Sequence, residues 1–178
     1  MSFEFQIVDI QKASKLRELF IDRFIDTKHE LYQEHIEMLH AYPDGEFYNG
    51  YLWEFLLEQQ RTECDMESAC EFLGKQGCIY VMWDLFSNHR VFDKSKFSRD
   101  YAKNTIIEAS AGSIAKMLPM EWGDWSDKSE CWFPEDIYCF DDTMNWCVVF
   151  THEGWDSFSR PELKEDDYIR ICFLCMNS

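Results

Sequence analysis

Asp136-Ile137-Tyr138-Cys139-Phe140-Asp141-Asp142-Thr143-Met144-Asn145-Trp146-Cys147-Val148-Val149-Phe150-Thr151 reads as two strands joined by a short polar turn. Ile137 to Phe140 and Trp146 to Thr151 are rich in β-branched and aromatic residues, and each is too short for a buried helix. If the connection is tight, Cys139 lies opposite Trp146 and Tyr138 opposite Cys147. One face then carries Ile137, Cys139, Trp146, Val148 and Phe150, and the other Tyr138, Phe140, Cys147 and Val149. Both faces are apolar, the pattern of a hairpin at the centre of a sheet covered on both sides.

Working outward from this hairpin, Cys78 to Trp83 reads as an earlier strand and Tyr168 to Leu174 as a last one. Five helical segments precede or follow them. Leu16, Leu19, Phe20 and Phe24 mark a first helix over Ala13 to Ile25. Thr27 and Glu30 have capping-box spacing, and Leu31, His35, Met38 and Leu39 continue a stripe to His40, where Tyr42-Pro43-Asp44-Gly45 forms a turn. Tyr48, Tyr51, Leu52, Phe55 and Leu56 suggest a third helix. Asp65 caps a fourth, which carries Met66, Ala69, Cys70 and Leu73 and stops at Gly74. Ser98 can cap a further helix with Tyr101, Ile106, Ile107, Ala111, Ile114 and Leu118 on its apolar side, before Pro119. Glu121 to Pro134 has no clear period and reads as a loop. The expectation is one α+β domain over residues 1–178, a mostly antiparallel sheet of about four strands packed by four or five helices.

The chain has 178 residues, 46% hydrophobic and 17% aromatic, with only 7 Gly and 4 Pro, proportions that exclude a disordered or linker-like chain. Met1 to Ile7 lacks the basic start of a secretory signal, and no apolar run reaches the roughly 18 residues of a membrane span. A soluble, cytoplasmic protein is expected, its eight cysteines mostly reduced and used as small buried hydrophobes. Lys and Arg number 17 against 34 Asp and Glu, a net charge of −17 that argues against nucleic acid and anionic membranes as partners. Glu121 to Asp167 alone holds 14 acids and 3 bases, together with Trp122, Trp125, Trp132, Trp146 and Trp155.

Motifs for chemistry are sparse. Cys172 and Cys175 form the one CxxC pair, but residues three apart on a strand point to opposite faces and cannot close on one metal. His29 and His35 miss the four-residue spacing of a helical zinc signature, and no Gly-rich phosphate loop is present. Neither a metal nor a cofactor is expected. Asp136, Asp141, Asp142 and Glu153 could supply paired carboxylates for glycoside hydrolysis, although no spacing selects a pair. Asp141, Thr151, His152 and Glu153 make the most suggestive polar group, with Thr151-His152-Glu153 where a buried strand exits. In the tight register His152 shares a face with Cys139, yet lies on the order of 20 Å away at ~3.3 Å per residue, too far for a Cys-His nucleophile pair. His152 and Glu153 are therefore expected to satisfy partners at the sheet end.

The run Asp136 to Asp141 followed by Trp146-Cys147-Val148-Val149-Phe150-Thr151-His152-Glu153 resembles the closing strand pair of small uncharacterised bacterial proteins, with a D-x-Y-x-x-D strand leading to W-x-x-V-x-T-H-E. Leu52 to Phe55, Cys70 to Phe72 and Ile79 to Val81 fit the same order more loosely. That group is similar in size and acidity to immunity proteins against polymorphic toxins. The resemblance implies an acidic, non-enzymatic binding protein that neutralises a basic partner such as a toxin, and it carries over no catalytic residue. The surface expected for that partner comprises Trp122, Trp125, Trp155, Asp156, Glu162, Glu165, Asp166 and Asp167, acids to steer association and indoles to anchor it. The rivals are a small hydrolase using these carboxylates or His152, and a ligand-sensing domain with an aromatic pocket. Oligomeric state is open.

Overall fold

The structure, a computed structural model, describes residues 5–41, 51–83, 106–115, 136–155, 159–164 and 169–177. The elements, in chain order, are β1 (Phe5–Ile7), α1 (Ile10–Phe24), α2 (Glu30–Ala41), a 3-10 turn (Leu52–Phe55), β2 (Arg61–Cys64), α3 (Met66–Gly74), β3 (Cys78–Trp83), β4 (Ile106–Ser110), β5 (Ile137–Phe140), β6 (Trp146–Trp155) and β7 (Ile169–Met176). Residues 111–115 are also helical.

The strands form one antiparallel sheet in the order β1-β4-β3-β5-β6-β7-β2. The α+β reading therefore stands, while the expected strand count rises from about four to seven. The three additional strands are β1, β2 and β4. For β4, Ile106, Ile107, Ala111 and Ile114 satisfy a helical spacing, but Ile106 to Ser110 pairs with Met82 to Cys78 on one side and β1 on the other. Tertiary pairing overrides the local period there, and the helix begins only after Ser110. The third expected helix is likewise only a 3-10 turn at Leu52–Phe55; its earlier part, from Tyr48, lies outside the described residues, as do the turn at Tyr42 to Gly45 and the loop from Glu121 to Pro134.

Local rules account well for α1 and α3. Asp9 caps α1 by accepting from Gln11 N and Lys12 N, and Ala13, Leu16, Phe20 and Phe24 are its buried side. Asp65 caps α3 by accepting from Ser68 N at 2.7 Å. In α2 the buried side differs from expectation: Tyr32 is buried and Ile36 packs on the core, whereas Leu31 is 52% exposed.

β5 and β6 lie at the centre, and their two faces feed two separate cores. Tyr138, Phe140, Cys147 and Val149 join Phe20, Phe24, Leu52, Phe55 and Phe173 in the first. Ile137, Cys139, Trp146, Val148 and Phe150 join Ala69, Leu73, Ile79, Ile107, Ile114 and Cys172 in the second. In the first core Phe20 sits 5.2 Å from Phe140 and 5.5 Å, edge-on, from Tyr138, ring separations at which aromatic pairs add to simple burial.

The hairpin faces agree with the sequence reading, but its register does not. Phe140 pairs with Cys147 and Cys139 with Val148, a shift of two residues from the tight-turn expectation. A shift of one would have exchanged the faces; a shift of two preserves them. Cys172 and Cys175 fall in the second and first core respectively, on opposite faces as expected of a strand.

Candidate functional site

Beyond Phe150 the pairing of β6 with β7 becomes irregular. Phe150 pairs with Cys172 and Gly154 with Arg170, so three residues, Thr151 to Glu153, stand against Ile171 alone. Such a bulge re-aims the side chains it carries. The ring of His152 consequently rests on Tyr51, with centroids 4.5 Å apart, and near Trp53 at 6.3 Å. Trp53 in turn stacks on Phe173 and packs against the first core. His152 thus leaves the side of Cys139, correcting the expectation that the two share a face.

Arg170 supports the bulge from within. It is 2% exposed, and its guanidinium donates to the carbonyls of Phe150 and Thr151. The Thr151 hydroxyl faces the Ile171 carbonyl at 2.9 Å and the Glu153 carbonyl at 3.3 Å. With its proton committed to the backbone, Thr151 is a structural group and not a nucleophile poised on His152.

Asp136 holds the other side of the imidazole. Its carboxylate is fully buried and accepts from the His152 backbone N–H at 2.7 Å, while the ring Nδ1 lies 3.1 Å and 3.2 Å from its two oxygens. Nε2 faces Glu153 Oε1 at 3.3 Å, and the Glu153 side chain is 56% exposed. The hydrogen bond to Asp136 raises the His152 pKa above its usual value; burial opposes this, the charges of Asp136 and Glu153 add to it, and Arg170 works against it. An imidazole oriented at Nδ1 by a buried carboxylate holds its proton more tightly than a free one and turns Nε2 toward Glu153.

Of the expected polar group, Thr151, His152 and Glu153 come together and Asp141 does not. Asp141 follows β5 while Asp136 precedes it, a separation of roughly 17 Å at ~3.4 Å per residue. Of the expected partner surface, Trp155 is half-buried at the end of β6 with the Arg160 guanidinium 3.6 Å above its ring, and Glu162 is exposed. Trp122, Trp125, Asp156, Glu165, Asp166 and Asp167 lie outside the described residues. Sequence reasoning gives Tyr51, Trp53 and Arg170 no part in a site, and it considers Asp136 for chemistry as a member of a carboxylate pair and not as the partner of His152.

Among the described residues no group of three His, Cys, Asp or Glu side chains could hold a metal ion, and no helix is long and apolar enough to cross a membrane. No family model matches the chain, and no curated protein or solved structure matches it either.

Proposed function

We propose that this chain is a non-enzymatic binding protein that receives a basic protein on its acidic surface, with neutralisation of a bacterial toxin as the biological form of that activity. The observation that supports this reading is acid left without internal compensation. Among the described residues Glu18, Asp22, Glu30, Glu34, Glu37, Glu63 and Glu67 are exposed and form no ion pair, and they outnumber the exposed bases without one, Lys15, Arg23 and Lys28. Added to the net −17 of the whole chain, this leaves a field that accelerates encounter with a positively charged partner and repels nucleic acid.

The test is affinity capture at low ionic strength, followed by binding kinetics over a salt series with the captured partner. Replacing Glu165, Asp166 and Asp167 by Lys should slow association about tenfold at low salt, the difference shrinking as the screening length falls to about 8 Å near physiological ionic strength. A toxin partner should lose its activity at one equivalent of this protein. Association indifferent to both salt and charge reversal, or the absence of any basic partner, overturns the reading.

A second reading, a small hydrolase, is favoured by one feature: the carboxylate-oriented imidazole of Asp136 and His152. In that case His152→Ala would abolish a measurable turnover in a variant that still folds, and the binding of a basic protein would be unaffected.

A further inference from the structure

Asp136 is 0% exposed, and each of its hydrogen bonds among the described residues comes from one residue, His152. A carboxylate so far from water is costly unless a cation stands against it. The group in contact with it is the imidazole of His152, a cation when protonated, whose side chain is 33% exposed and so exchanges its proton with solvent. A fully buried acceptor is thus paired with a partner that solvent can reach.

The same ring is wedged between parts of the chain that are distant in sequence. It touches Tyr51 and Trp53 from the 3-10 turn, and Trp53 N donates at 3.0 Å to the hydroxyl of Tyr138 in β5. Its own backbone is the β6 bulge. We propose that the Asp136–His152 pair is a pH-operated latch: with His152 protonated it fastens the 3-10 turn and the β6 bulge to the start of β5, and on deprotonation it loosens that hold.

Four titratable or charged groups of the described residues face the ring. They are Asp136 ahead of β5, Glu153 on β6, Arg170 on β7 and Tyr51 ahead of the 3-10 turn. Two carboxylates against one guanidinium favour the proton, in keeping with the upward displacement of the His152 pKa. Because the folded value lies above the unfolded value of about 6.5, the latch contributes fully below about pH 6.5 and is lost as pH rises through the folded value. Above it, the neutral ring still donates from Nδ1 to Asp136 but brings no positive charge to this buried group, and the hold on Tyr51 and Trp53 weakens.

The experiment is an NMR titration of the His152 ring in the full chain, combined with amide hydrogen exchange at Trp53, His152 and Val148 corrected for the intrinsic pH dependence. The expected result is titration above about 6.5, with protection of the Trp53 and His152 amides falling about tenfold for each unit of that displacement as the ring deprotonates, and Val148 unchanged. Asp136→Asn should return the ring to about 6.5 and remove the step, while Glu153→Gln should leave the step in place. Titration of wild-type His152 at or below about 6.5, or protection at Trp53 and His152 that does not change across its titration, overturns the proposal. Should Asp136→Asn fail to fold, these two wild-type measurements decide alone.

Discussion

The indole nitrogen of Trp146 donates to Asp141 Oδ2 at 2.9 Å, tying the first residue of β6 back to the residue that follows β5. The other oxygen of the same carboxylate accepts from Thr143 N at 3.0 Å and from the Thr143 hydroxyl, which in turn accepts from Asn145 N at 3.2 Å. Met144 takes a positive φ of 52° within this turn. These contacts stabilise a longer link than the tightest hairpin, and the register shift of two residues follows from it. Asp141→Ala should lower stability by about 1 to 3 kcal/mol, since it strips the buried indole N–H of its partner and removes the turn's central acceptor. Equilibrium denaturation checks this; a variant that unfolds like the parent would make the turn a consequence of the register and not its cause.

The two cores should respond separately to truncation on the hairpin. Phe150 and Val148 serve the second core and are 0% exposed, so changing either to Ala should cost about 2 to 5 kcal/mol. On the opposite face Tyr138→Phe keeps the ring and removes the acceptor of Trp53 N. Its expected cost is smaller, about 1 to 3 kcal/mol, the penalty of an unpaired buried donor. Chemical denaturation of the three variants should therefore rank Tyr138→Phe as the mildest.

The cap of α3 predicts a response to acid. Hydrogen bonds from Ser68 hold the Asp65 pKa below its usual value. A depressed folded pKa gives stability that is present above the unfolded value of about 3.9 and is lost as pH falls through the folded one. Asp65→Ala should cost about 0.5 to 2 kcal/mol at neutral pH. Asp65→Asn should cost little there, because Asn caps comparably, and should reduce the loss of stability on acidification. Parallel melts at neutral and acid pH distinguish the two variants.

Burial orders the reactivity of the cysteines. Cys78 is exposed, Cys64 and Cys70 are half-buried with thiols pushed up to about 11 mainly by burial, and Cys139, Cys147, Cys172 and Cys175 are buried. Desolvation raises the thiols of Cys139, Cys147 and Cys172 further still. Among the cysteines of the described residues, timed alkylation at neutral pH with mass mapping should label Cys78 first, then Cys64 and Cys70, and the four buried thiols only on unfolding. Early labelling of Cys147 or Cys175, which pair across β6 and β7, would show the sheet opening there without global unfolding.

What the sequence determined by itself is what depends on neighbours in the chain. Asp65 starts α3 because N-capping is a local hydrogen-bond problem and the helix ends at Gly74, Cys78 to Trp83 declares a strand, and alternation along β5 and β6 assigns Tyr138 and Cys139 to opposite cores whatever the even shift in register. Tertiary structure alone decided the rest. Ile106 and Ile107 fit a helix as well as a strand until Met82 and Val81 pair with them, and Phe5 to Ile7 and Arg61 to Cys64 are too short for any period to register. His152 was visible as a polar residue at a strand end, but its face, its partner and its charge are set by a bulge between Phe150 and Gly154, by Arg170 eighteen positions later, and by Asp136 sixteen before. An extra residue against a partner strand changes no local spacing, so the side to which a histidine turns is decided only when the two strands meet.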